Sequence, residues 1–348
     1  MSAGFSNGAV GGLPGADAQH RVSSVQREAT DRQSFPTTIA FLGPAGTFTE
    51  EALLAEADLA QAEVVPMPTI ADVLDAAHRG EVEAGFVPIE NSIEGTVSET
   101  VDHLIFSSDL LILREVVLDI HLHLLAPPGV ETSSIRRVLS YPHASAQCRE
   151  YLQRTLPGAV VVPTNSTAEA ARVVGDERSG DSAALAPILA ARLYDLAPLA
   201  SSVEDHPGNQ TRFLLVGRET IPAATGHDKT SIVCFQGRDR PGSLHQILGQ
   251  FAARSINLTK IESRPTKAAL GSYCFLIDFE GHLDDEIVGD CLRELHMELS
   301  EVRLLGSYPA AGAEGDAVRR EIEIARREAD EWLDGVRGLV VPPPGPDY

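Results

Sequence analysis

The sequence predicts an α/β protein made of two unlike halves, and three observations carry that prediction. From residue 38 to 218, short apolar runs alternate with amphipathic stretches, strand then helix, repeated. That pattern argues for parallel sheets covered by helices and divided into two lobes. From 229 to 309 the rhythm changes to strand, helix, strand, strand, helix, strand, the βαββαβ order of a ferredoxin-like unit. With 348 residues, 43% of them hydrophobic and 22% charged, the chain has the composition of a globular protein and the length for two or three domains.

Residues 1–36 are rich in Gly, Ser, Ala and Gln, lack hydrophobic periodicity and read as a disordered extension. A strand at 38–42 is turned by Gly43, Pro44 and Gly46, and Thr47 and Glu50 stand at capping-box spacing at the start of a helix. A Gly-containing turn from a strand into a helix N-terminus is a natural anion site. A short strand at 64–66 follows, then a helix over 70–79 that Thr69 caps and Gly80 ends. The strand at 84–89 runs into Glu90-Asn91-Ser92-Ile93-Glu94-Gly95, ahead of a helix over 97–105. One polar side chain suffices to cap that helix. Three in succession at the C-terminal end of a strand point to a ligand site.

Residues 111–125 read as strand, with His121 and His123 alternating with apolar neighbours. Two histidines without a third ligand are more simply exposed strand residues than a metal site. A strand at 137–140 leads through a turn into a helix carrying Gln147 and Cys148. A strand at 160–163 precedes a helix capped by Ser166 and Thr167, and 181–186 returns to the sheet before a helix through 194. The last strand of this half, 213–216, is led in by Gly208-Asn209-Gln210-Thr211-Arg212. Alternation puts Asn209, Thr211 and Phe213 on one face, and Gln210 and Arg212 on the other. Residues 219–228 read as a linker. The second half has strands at 230–235, 257–264, 272–279 and 301–307, and helices at 243–254 and 284–299. Residues 310–348 form a charged tail with a helix over 317–333, whose apolar stripe is Val318, Ile322, Ala325 and Ala329.

A net charge of −22 makes nucleic acid and anionic membrane poor partners. No apolar run approaches the ~20 residues of a membrane span. The N-terminus shows no basic region followed by an apolar core, so a cytoplasmic protein is expected. Cys148, Cys234, Cys274 and Cys291 have neither CxxC nor metal-ligand spacing and read as reduced core thiols.

Several strings occur in a fixed order: FLGPAGTFTE (Phe41–Glu50), VPIENSIEGTV (Val87–Val97), AQC (Ala146–Cys148), NQTRF (Asn209–Phe213), RPGSLHQIL (Arg240–Leu248) and NLTKIESRP (Asn257–Pro265). Together they resemble prephenate dehydratase with a C-terminal ACT regulatory domain, over about residues 38–308. The resemblance implies a catalytic region similar to type 2 periplasmic binding proteins, one lobe near 37–114 plus 200–218, the other near 115–199, with the site in the cleft. It places the ACT domain at 229–309. The string before AQC departs from the family. Where Ser-His-Pro-Gln is usual, this chain has Ser140-Tyr141-Pro142-His143.

By that resemblance Thr211 is the general acid that helps the ring hydroxyl of prephenate leave as CO2 is lost and the ring becomes aromatic. Asn91, Ser140 and Gln147 are implied to line the cleft. Thr47, Ser92 and Thr167 are expected donors to the substrate carboxylates, helped by helix N-termini. Arg212 is a further candidate for substrate binding, although alternation favours a structural part. No metal or organic cofactor is demanded. Gly242, Ser243 and Leu244, at a turn into a helix, with Glu262 and Ser263 at a strand end, are implied to bind phenylalanine as effector. A homodimer or homotetramer through the ACT domain is expected. Two rival readings are arogenate dehydratase, with the same chemistry on an amino acid, and a non-catalytic two-lobed amino-acid sensor.

Overall fold

The computed structural model describes residues 36–236, 241–267, 272–311, 332–333 and 335–337. The expected N-terminal extension and nearly all of the tail helix lie outside the described residues. The first sheet is built from β1 (Thr38–Leu42), β2 (Glu63–Met67), β3 (Ala84–Asn91), the short β4 (Gly95–Thr96) and β5 (Leu111–Asp119), with α1 (Phe48–Ala55), α2 (Ile70–Arg79) and α3 (Ser98–Phe106) between them. The chain then enters a second sheet through β6 (His123–Ala126), β7 (Arg137–Ser140), β8 (Val160–Pro163), β9 (Ser182–Ala186) and β10 (Ala197–Ala200). Its helices are α4 (Pro142–Gln147), α5 (Arg149–Thr155), α6 (Thr167–Glu177) and α7 (Ile188–Leu193). The chain returns to the first sheet as β11 (Gln210–Gly217).

The strand orders are β2-β1-β3-β11-β5, with β4 on β3, and β10-β6-β9-β7-β8. The sheets are mixed rather than parallel. β11 runs antiparallel to both β3 and β5, and β6 runs antiparallel to β9 and β10. The reason is the excursion itself: the chain leaves the first lobe along β5 and comes back beside it, so the two directions must oppose. β5 also keeps residues 115–119 in the first sheet, so that lobe extends beyond the expected 114. The outward and return crossings lie side by side. The Ile120 amide donates to the Asn209 carbonyl at 2.8 Å, and the Val203 amide to the Leu122 carbonyl at 2.8 Å.

Local signals act as the sequence implied. The Thr47 hydroxyl caps α1 by accepting from the Glu50 amide, and the Glu50 carboxylate accepts from the Gly46 amide at 2.5 Å. Thr69 caps α2, and Gly80 closes it in the left-handed region at φ 73°.

The C-terminal module comprises β12 (Asp228–Phe235), α8 (Ser243–Ala252), β13 (Leu258–Pro265), β14 (Tyr273–Glu280), α9 (Glu286–Glu298) and β15 (Glu301–Pro309). Its antiparallel sheet has the order β13-β14-β12-β15. Alternate residues split between two faces. Ile232, Cys234, Ile277 and Phe279 pack under α8 and α9, against Ile247, Phe251 and Leu295. Val233, Cys274, Leu276, Leu305 and Tyr308 join one core with Leu104, Ile105, Ile112 and Leu214 of the first lobe. Gly306 brings the backbone of β15 onto β5 so closely that a Cβ there would meet the Ile112 carbonyl at 2.6 Å. Arg303 seals the junction, donating to the Ile105 and Ser108 carbonyls at 2.6 Å each where α3 ends.

Candidate active site

Thr211 and Asn91 face each other across the β11–β3 ladder. The Asn91 amide cannot turn over without loss: its Oδ1 accepts from the Ile93 and Glu94 amides at 2.9 and 3.0 Å. Its Nδ2 therefore points at Thr211 Oγ1 (2.9 Å), Asn209 Oδ1 (2.8 Å) and the Gln210 carbonyl (3.1 Å). The Thr211 oxygen is thus an acceptor from Asn91, and its own proton remains to be donated elsewhere.

The network continues across the lobes. Asn209, 3% exposed, receives Ser92 Oγ at 3.3 Å and donates through Nδ2 to Gln147 Oε1 at 3.0 Å. Gln147 Nε2 in turn reaches Glu94 Oε1 at 3.4 Å. The other oxygen of Glu94 lies 2.7 Å from His143 Nδ1, and the Tyr141 ring stacks on His143 with centroids 5.2 Å apart. One turn of α4 thus sends His143 and Gln147, at i and i+4, to a single carboxylate of the opposite lobe. Asp205, in the return crossing, fixes that helix pair: its amide donates to the Gln147 carbonyl, and its carboxylate accepts the Glu150 and Tyr151 amides of α5. The lobes also meet where Tyr194 Oη donates to the Ala45 carbonyl at 2.8 Å. Gly46, at φ 88°, leaves the space for that ring.

Of the residues expected at the site, Asn91, Ser92, Gln147 and Thr211 are brought into one hydrogen-bonded set. Ser140 is fully buried, and its hydroxyl donates to the Leu185 carbonyl at 3.0 Å, tying the ends of β7 and β9 together. Thr47 donates to the Leu42 carbonyl at 3.2 Å while capping α1. Ser166, not Thr167, caps α6, and Thr167 is its first residue, 9% exposed. Arg212 turns away from the cleft. Its guanidinium is held by Glu115 (2.5 Å), Asp278 (2.6 Å) and the Tyr308 hydroxyl (2.9 Å), so all three nitrogens are engaged on the face opposite Thr211. Burial pushes the Glu115 carboxyl up, but the charges of Arg212 and Lys229, with hydrogen bonds from Lys229 and the Ala311 amide, outweigh it and hold the group below the usual carboxylate range.

In the C-terminal module Gly242 adopts φ 88° as the N-cap of α8, and the Ser243 hydroxyl donates to Gln236 Oε1 at 3.1 Å. Leu244 is half-buried. Ser263 points to the exposed side of β13, but Glu262 does not sit at a strand end. It lies within β13 and turns to the first lobe, accepting from Thr96 Oγ1 at 2.7 Å and pairing with Arg264 at 3.2 Å. Its carboxylate is thus already engaged, by Thr96 of the first lobe and by its own strand's Arg264. Asn209, Glu94 and His143 belong to the site and were missed from sequence. For Asn209 the signal was present, since alternation placed it on the face of Thr211. His121 pairs with Glu204 at 2.9 Å, and among the described residues no group of ligating side chains assembles for a metal.

Two lobes joined by a hydrogen-bonded set of Asn, Gln, Ser and Thr side chains closed off by Glu94, with a ferredoxin-like module fused behind, define a cleft enzyme carrying a C-terminal ACT module. The family model for prephenate dehydratase matches residues 39–221, and that for the ACT domain matches 230–296. A prephenate dehydratase of Mycolicibacterium vanbaalenii is 42% identical over 314 residues, covering 86% of this chain and 98% of that one. The solved structure of a prephenate dehydratase from Arthrobacter aurescens in complex with L-Phe aligns at a TM-score of 0.73 with 41% identity, over 86% of this chain and 99% of that one. A structure described as a novel type of quorum quenching acylase, GqqA, aligns at a TM-score of 0.72 with 30% identity, over 79% and 98%. The chain belongs to the prephenate dehydratase family.

Proposed function

We propose that the chain converts prephenate to phenylpyruvate by decarboxylating dehydration, with Thr211 as the proton donor. The observation that carries this reading is the locked Asn91 amide donating to Thr211 Oγ1. The bond from the ring to its carboxylate breaks and its electron pair enters the ring. The C–O bond to the ring hydroxyl breaks with its pair leaving on oxygen, and that oxygen takes a proton and departs as water. A threonine hydroxyl is a weak acid, so its hydrogen bond gains strength as charge grows on the leaving oxygen. The Asn91 bond to Thr211 spreads the charge left behind.

The donors around the cleft suit a carboxylate that must leave as CO2. Asn91, Ser92, Gln147 and Thr167 are all neutral, and a bidentate arginine would stabilise the charged ground state against its own loss. Ser92 and Gln147, with the N-termini of α1 and α6, position the substrate carboxylates. The acylase reading of the GqqA likeness asks for an activated nucleophile. The recorded partner of Thr211 is an N–H donor rather than a base, which favours the acid role.

Phenylalanine is the proposed effector, bound near Gly242, Ser243 and Leu244 with Ser263, where the helix N-terminus and an open turn admit a carboxylate. Exposed Ile261, Tyr273, Ile287 and Met297 on the module favour self-association as a dimer or tetramer. No described helix is long and apolar enough to cross a membrane, and cytoplasmic residence fits this chemistry. The test is an assay of purified protein with prephenate and with arogenate, with and without phenylalanine. Phenylpyruvate from prephenate, suppressed by phenylalanine, is expected. Faster turnover of arogenate would reassign the substrate, and no product from either would leave a sensor.

A further inference from the structure

Asn91 and Thr211 form one step of the β3–β11 ladder, and Glu90 and Arg212 form the step beside it. Alternation sends the second pair to the opposite face, where the C-terminal sheet lies. Arg212 meets Asp278 of β14 at 2.6 Å and Tyr308 of β15 at 2.9 Å. Asp278, 4% exposed, is itself held by Ser231 Oγ at 2.7 Å. Glu90 meets Lys260 of β13 at 2.9 Å, and Lys260 also donates to Thr96 at 2.9 Å. The strands that bear Asn91 and Thr211 are therefore each gripped at the neighbouring position by the ACT sheet, β3 by β13 and β11 by β14 and β15.

The ladder is also weakest at this point. Its register shifts immediately after the pair, Arg212 facing Glu90 but Phe213 facing Pro88, so Ile89 is left over as a bulge. A gap of about 10 Å³ lies against Ile89, Arg212, Ser231, Lys260 and Asp278. Tightly packed sheet elsewhere resists displacement, whereas a bulge beside a gap lets two residues shift without the rest of the strand. Buried charges do not part readily from their partners; Arg212 is shared between Asp278 of β14 and Glu115 of β5, and the largely buried Lys260 holds the more exposed Glu90, so a displacement of β14 or β13 pulls on Arg212 and Glu90.

We propose that Glu90 and Arg212 are positioning residues: they hold the Asn91–Thr211 pair at its working distance and pass a movement of the ACT sheet to it through Lys260 and Asp278. The regulatory part of this rests on phenylalanine being the effector of the ACT module; the positioning part stands without it. The test uses full-length Lys260→Gln and Lys260→Arg proteins, with Ser231→Ala as a milder probe of the Asp278 arm should Lys260→Gln fail to fold. Prephenate kinetics, phenylalanine binding by calorimetry and inhibition at saturating phenylalanine are measured on each. Lys260→Gln is expected to lower kcat about five-fold with KM within about two-fold, since the pair acts in the transition state. It should bind phenylalanine as the parent does, yet lose about five-fold or more of the inhibition, and Lys260→Arg should restore both. Unchanged kcat and full inhibition in Lys260→Gln and Ser231→Ala overturn the proposal and leave phenylalanine control standing. A parent protein that neither binds nor responds to phenylalanine removes the regulatory reading; the kcat of the variants then decides the positioning claim alone.

Discussion

Asn91 Nδ2 lies 2.9 Å from Thr211 Oγ1, and two backbone amides on Asn91 Oδ1 fix which end of the side chain faces the threonine. The direction of that bond decides the chemistry. A threonine that accepts from an amide is free to give its own proton into the cleft, and a threonine that donated to a carbonyl would not be.

Replacing Thr211 by Ala removes the donor and leaves the Asn91–Asn209–Gln147 set in place. The expected result is a fall in kcat of about 10²–10⁴ with KM changed by no more than a few-fold, while Thr211→Ser keeps much of the activity. Steady-state kinetics on prephenate check it, and a Thr211→Ala protein with near-parental kcat would remove Thr211 from the mechanism.

Asn91→Asp preserves the oxygen that receives the Ile93 and Glu94 amides, so the turn should still form. It replaces the donor to Thr211 by an acceptor, which draws the hydroxyl proton away from the cleft. A loss of about 10² in kcat is expected with an unaltered circular dichroism spectrum. Activity within a few-fold of the parent would show that the direction of the bond does not matter.

The His143–Glu94 pair and the Gln147–Glu94 bond join the lobes across the cleft. Both side chains of the pair are largely exposed, so a modest effect is expected from each. Glu94→Ala should raise KM by about three-fold or more, through lost orientation of Gln147, with a smaller change in kcat. His143→Gln, which keeps a donor at this position, should stay closer to the parent than His143→Ala. Equal KM values in all of these proteins would separate the pair from the site.

Burial pushes the Glu115 carboxyl up from its ordinary value of 4.5, but Arg212 and Lys229 outweigh that and leave it lowered. The unfolded chain therefore takes up a proton on Glu115 at a higher pH than the folded one. The stability from this group is complete above the ordinary glutamate range and is lost as pH falls through the lower folded value. Asp102, buried in part but pulled down by Arg264 and Lys267, acts in the same sense. Urea midpoints from pH 7 downward should drop below about pH 4.5, and Glu115→Gln should be the less stable protein at pH 7 with the difference narrowing in acid. A constant difference across that range would count against the ion cluster.

Much of the first half was legible because its signals are local. Thr47 with Glu50, Thr69 with Gly80, and the alternation through Asn209, Thr211 and Phe213 involve residues a few positions apart, where period and capping fix geometry. What lies on the other face of a strand is not a local property. Arg212 meets an aspartate 66 residues away, and Glu262 a threonine 166 away. No pattern within either strand says which partner waits there: alternation turned Arg212 away from Thr211 without naming Asp278, and Glu262 was expected at a ligand, whereas both serve the junction. The direction of β11 was hidden for a similar reason, since a strand's apolar run looks the same in either orientation.

The close seat of Gly306 on Ile112 has a consequence for how the polypeptide comes apart. Its only covalent tie to the first lobe in that region is the stretch between Gly217 and Asp228, most of which is solvent-exposed. Yet Tyr308, Leu305 and Leu276 lie in the same apolar interior as Leu104 and Leu214. A protease that nicks the stretch should yield two fragments that remain associated and melt together in a single calorimetric peak. Expressed separately, each piece keeps a core of its own but bares its side of the shared one, and the two should become more soluble when mixed. The module is thus joined to its enzyme as a half to a half, by interior surface more than by the covalent thread, and grafting it onto another protein would require carrying β5 and α3 with it.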